Sequence, residues 1–134
     1  MLRVEHIGIA VKSMAESQQL YETLLGVPCY KHETVESEKV RTAFFQKGET
    51  KIELLESSDP EGVIAKFIEK KGEGLHHIAF EVEDIRAEME RLKSQGFKLL
   101  MEEPKRGADN KLICFVHPKS ASGVLLELCQ TIKQ

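Results

Sequence analysis

One hydrophobic pattern occurs twice along this chain. Residues 4–14 (VEHIGIAVKSM) and 75–85 (LHHIAFEVEDI) share an alternation of apolar positions, and His77 follows His6 by 71 positions (77 − 6). Strict alternation marks a strand with one buried face. Each segment runs on into a helix pattern that stops at glycine: 13–25 before Gly26, and 84–95 before Gly96. Ser13 followed by Glu16 forms a capping box, with Leu20, Tyr21, Leu24 and Leu25 as one apolar stripe; Asp84 caps the second helix, whose stripe is Ile85, Met89 and Leu92.

Three further strands follow in each half: 28–32, 40–46 and 51–55 in the first, 97–101, 112–116 and 124–129 in the second. Asp59-Pro60 opens a connecting helix with Pro at its first position and Ile64, Phe67 and Ile68 on one side, ending at Gly72 and Gly74. The predicted architecture is α+β: two tandem βαβββ modules, at about 1–57 and 75–134, joined by a connector at 58–74 within a single domain.

Strand phase then selects candidate chemistry. Successive strand side chains point to opposite faces, so His6 shares its face with Val4, Gly8 and Ala10, opposite the bulky Ile7, Ile9 and Val11 expected to pack a helix. In the repeat, His77 falls with Ala79 and Glu81, whereas His76 falls with Ile78, Phe80 and Val82. The partner of His6 is therefore His77. The small residues beside each histidine leave room for a ligand. The last strand of each half also carries a carboxylate between apolar neighbours, Glu53 in KIELLE and Glu127 in VLLELCQ, out of phase with the helix-packing positions. One His and one Glu per half, four in all, form a plausible set for a single divalent cation such as Co, Ni, Mn, Fe or Zn. His32 and His117 have no counterpart in the repeat and are expected at the surface or supporting the site.

Composition narrows the partners. The formal net charge of −3 gives no electrostatic drive toward nucleic acid or acidic lipid. The longest apolar run, residues 112–116, is far short of the ~20 residues that span a bilayer. The N-terminus enters the first strand with no signal-peptide pattern, and a cytoplasmic location is expected. Cys29, Cys114 and Cys129 form no CxxC and are expected to be small core residues.

Paired βαβββ modules, each giving a His on its first strand and a Glu on its last, resemble the vicinal oxygen chelate superfamily over the whole chain. HIGIAV, KIELLE, KGEGLHHIAFEV, EEP and especially HPKS followed by GVLLEL resemble its methylmalonyl-CoA epimerase family. That resemblance implies metal ligands at His6, Glu53, His77 and Glu127, a curved, partly open sheet around the metal, and a homodimer. It implies epimerisation of a CoA thioester through an enolate, with Co2+ as first choice of ion, then Mn2+, Ni2+ or Zn2+. Two positions depart from the family pattern. Glu53 stands where many members have Gln, adding a negative charge. Thr42 stands where some have a glutamate that serves as a base.

Inversion at the carbon alpha to the thioester calls for a proton carrier on each side. Glu127 is the first candidate; Glu36, Glu38, Glu53 or a metal-bound water are the alternatives for its partner, with Glu36 and Glu38 more simply read as a solvated charge run. Lys105, Arg106 and Lys119, expected in loops, are candidates for contacts to the CoA phosphates. The alternatives are a lactoylglutathione lyase, which would use the same four ligands, and a metal-free binding protein of the same fold.

Overall fold

The computed structural model describes residues 1–133. Eight strands and three helices occur in the order β1 (Arg3–Ala10), α1 (Met14–Leu25), β2 (Lys31–Val35), β3 (Val40–Lys47), β4 (Thr50–Ser57), α2 (Val63–Lys71), β5 (Gly74–Glu81), α3 (Ile85–Ser94), β6 (Lys105–Gly107), β7 (Lys111–Val116) and β8 (Leu126–Thr131). The α+β architecture and the duplicated βαβββ unit are as the sequence pattern predicts. The chain divides into two compact units, His6–His76 and Met1–Glu5 with the chain from His77 onward. The strands of the first module run β1-β4-β3-β2 and those of the second β5-β8-β7-β6, the same order. In each, the first and last strands pair in parallel while the others pair antiparallel.

Helix α1 begins where the capping box places it. The Ser13 hydroxyl accepts the Glu16 N–H, Glu56 of β4 accepts the Met14 N–H at 2.8 Å, and Gly26 closes the helix in the left-handed conformation at φ 71°. Its apolar stripe is narrower than expected. Met14, Tyr21 and Leu25 pack on Val11, Ala43, Phe45 and Leu54, whereas Leu20 and Leu24 are 59% and 69% exposed. Positions 14, 21 and 25 lie close to one line along the helix, while 20 and 24 sit roughly a quarter-turn away and miss the sheet. Helix α3 covers the second module with Ile85, Met89 and Leu92, all buried, against Cys114, Val116 and Leu128.

Three elements differ most from the sequence expectation, each for a local hydrogen-bonding reason, and the strand expected at 124–129 runs two residues later, at Leu126–Thr131. The strand expected at 28–32 starts at Lys31. Pro28 has no N–H, and the Cys29 N–H is taken by the Glu22 carboxylate at 2.9 Å, so pairing begins only at Tyr30 N–H to the Phe44 carbonyl. The strand expected at 97–101 is reduced to a bridge between Leu99 and Val116, because the Lys98 N–H is held by the Ser120 hydroxyl. Its alternating Phe97, Leu99 and Met101 serve the α3 core instead, and the third strand of the module is β6, which carries Lys105 and Arg106. Helix α2 starts at Val63 rather than Pro60, since Asp59 folds the intervening residues into a turn through the N–H groups of Glu61 and Gly62.

Cys114 and Cys129 are buried and Cys29 half-buried, all as free thiols. Burial pushes the Cys114 thiol up to about 11, leaving it protonated and inert at neutral pH.

Candidate metal centre

In the first module, Gly8 of β1 and Phe44 of β3 flank Glu53 of β4 across the ladder. His6, two residues before Gly8, shares that face. Its Nδ1 lies 3.2 Å from Glu53 Oε2, and the two residues are each only 4% exposed. The helix-facing neighbours Ile52 and Leu54 pack with α1, so Glu53 looks away from that helix, as alternation requires. Leu55 and Ala10, on the carboxylate face, pack against Ile64 of α2. The connector helix therefore lies on the carboxylate face of the first module, opposite α1.

The second module repeats this arrangement. Ala79 of β5 and Phe115 of β7 flank Glu127 of β8, and His77 precedes Ala79 by two residues. Its Nε2 is 3.2 Å from Glu127 Oε1, with 7% and 5% of the two residues exposed. The Phe115 ring stands edge-on to His77 at 6.0 Å. Buried imidazole and carboxylate side chains are rare without a partner. Here each module buries one of each as a couple, walled by a small residue on one side and a phenylalanine on the other.

His76 points elsewhere and meets Phe67 of α2 edge-on, 4.8 Å between ring centres. His32 bonds Gln18 of α1 through its Nε2 at 2.6 Å, and His117 caps a short 3-10 turn (Pro118–Ala121) by accepting the Lys119 N–H. The HPKS segment thus forms a structural clasp: His117 N–H reaches the Lys98 carbonyl, and Ser120 holds the Lys98 N–H. Glu36 and Glu38 fall on a 3-10 turn between β2 and β3, off the paired ladder.

Two features escaped the sequence reading. Phe44 and Phe115 are separated by the same 71 positions (115 − 44) as the two histidines, an offset that would have found them. Glu5, fully buried, lies 3.9 Å from the Lys111 ammonium, which also donates to Thr131 at 2.7 Å. Nothing in the local sequence pattern around Glu5 distinguishes it from an exposed carboxylate.

The family model for the glyoxalase/bleomycin resistance protein/dioxygenase superfamily matches residues 5–115. The chain belongs to this superfamily. Among its relatives in the superfamily, the uncharacterized protein YqjC of Bacillus subtilis is 43% identical over 130 residues, covering 97% of this chain and 93% of that protein. The ethylmalonyl-CoA/methylmalonyl-CoA epimerase of Cereibacter sphaeroides is 39% identical over 130 residues, covering 96% and 97%. A solved structure of a Streptomyces coelicolor methylmalonyl-CoA epimerase variant in complex with 2-nitronate-propionyl-CoA superimposes with a TM-score of 0.94 at 32% identity, covering 99% of each chain. No helix among the described residues is long and apolar enough to cross a membrane.

Proposed function

We propose that this chain is an isomerase that interconverts the (R) and (S) epimers of methylmalonyl-CoA. The observation that carries the reading is the duplicated buried His–Glu couple, in the same register in both modules, in a chain whose relatives include methylmalonyl-CoA epimerases. His6, Glu53, His77 and Glu127 hold one divalent ion in this reading. The donor chemistry fits: two imidazoles and two carboxylates suit a borderline-to-hard cation, and the absence of thiolate disfavours a soft one. Cobalt is the first choice. When bound, the ion supplies Lewis acidity that lowers the cost of charge moving onto the thioester oxygen.

The chain's own residues do the rest. Glu127 takes the proton from the carbon alpha to the thioester and returns it in the reverse direction. Glu53 contributes a second negative charge where an amide would contribute none, which favours cation affinity over Lewis acidity. Phe44 and Phe115 limit water around the carboxylates. Lys105 and Arg106 on β6 and Lys119 in the 3-10 turn are positioned on exposed segments able to meet CoA phosphates. The three free thiols suit a reducing, cytoplasmic setting, and the assembly is a homodimer, as the resemblance implies.

Chelator treatment should abolish epimerisation of a single methylmalonyl-CoA epimer, and cobalt should restore it at one equivalent per chain. A metal-stripped chain epimerising at the full rate would contradict the reading.

A further inference from the structure

We infer that Cys29 and His32, with Gln18 of α1, form a second metal site, for a thiophilic cation of the zinc class, on the helix side of the first module. The assignment is independent of the epimerase reading. All three residues belong to the unit His6–His76. His32 lies across the ladder from Ala43 of β3, and Ala43 and Cys29 both pack in the cluster formed with α1. Glu53 and its ladder partner Phe44 occupy the other face of the sheet. The two sites are therefore separate.

The delayed start of β2 brings the pair together. In an unbroken strand, residues three apart point to opposite faces, which would part Cys29 from His32. Pro28 has no N–H and the Glu22 carboxylate holds the Cys29 N–H at 2.9 Å, so the chain before Lys31 leaves the strand path. Cys29 Sγ then comes to 3.8 Å from His32 Nε2, and Gln18 Oε1 lies 2.6 Å from the same nitrogen. A tetrahedral zinc ion at its usual bond lengths holds a sulfur and a nitrogen ligand about 3.5 Å apart. Small side-chain rotations bring the observed pair to that spacing.

Access and charge agree with the geometry. Cys114 and Cys129 are buried, whereas Cys29 is half-buried and His32 beside it is exposed, so a hydrated ion can reach the sulfur. Cys29 Sγ donates to the Lys31 carbonyl at 3.3 Å in the metal-free chain. On binding, the thiol gives its proton to water, and the neutral imidazole keeps its single proton on Nδ1, leaving Nε2 as a ligand. Gln18 then turns its carbonyl oxygen from Nε2 to the ion, and water completes the four positions. Thiolate and imidazole together select zinc over magnesium or calcium, which take oxygen ligands.

Cobalt(II) is the probe, because a thiolate bound to it gives an intense near-ultraviolet charge-transfer band that imidazole and carboxylate ligands do not. The reduced parent chain titrated with cobalt should develop this band, and added zinc should bleach it. Cys29→Ser should abolish the band and bind one cobalt fewer per chain. His32→Ala, at an exposed position, keeps the thiol; it should also lose the band and bind zinc at least about tenfold more weakly. Zinc should protect Cys29 from alkylation by iodoacetamide in the parent chain and leave it unprotected in His32→Ala. A parent chain without the band would overturn the assignment, as would a band that survives Cys29→Ser or keeps its full strength in His32→Ala.

Discussion

Replacing His77 with alanine should weaken cobalt binding by more than about 100-fold and remove activity, whereas His76→Ala should keep both and lose only stability. The two histidines are adjacent in sequence, yet strand alternation turns them to opposite faces. His77 is buried against Glu127 at 3.2 Å. Residues that merely orient a metal ligand cost about 10–100-fold in affinity when removed, and loss of a ligand itself should exceed that. His76 contributes an edge-on contact with Phe67, and its removal should cost about 1 kcal/mol, the ordinary scale for an aromatic pair. Cobalt titration and thermal unfolding of the two variants separate these effects. Equal metal loss in both would refute the strand-phase argument.

Changing Glu127 to glutamine should leave the fold and a cobalt-competent oxygen in place but reduce exchange of the alpha hydrogen by about 10²–10⁴-fold, the usual contribution of a positioned general base. The matching change in the first module behaves differently. Glu53→Gln removes a charge from a residue whose assigned work is holding the cation, so exchange should persist while cobalt binds more weakly. The contrast gives the duplicated carboxylates separate roles, ligand alone in one module and ligand with base in the other. Exchange by Glu127→Gln at the parent rate would remove it as a base.

The candidate site was legible from sequence because its chemistry obeys the period of two that defines strands. His6 and Glu53 fall out of phase with Ile7, Ile9, Ile52 and Leu54, and the second module repeats the arrangement. Less legible were features set by single hydrogen bonds at a distance. The Glu22 carboxylate, seven residues before Cys29, delays β2, and Ser120 pulls Lys98 out of a ladder that its apolar alternation suggested. The α1 stripe misled in another way, since four leucine and tyrosine positions fit one broad face but the sheet accepts only part of it.

In the proposed reaction the buried His–Glu couples make a carbon acid ionise and reprotonate on either side. Incubating one pure epimer of methylmalonyl-CoA with the cobalt-loaded chain in deuterium oxide tests it most directly. Conversion to a mixture of both epimers is expected, with one solvent deuterium at the alpha carbon of the inverted product. An unchanged epimer carrying no label would contradict it.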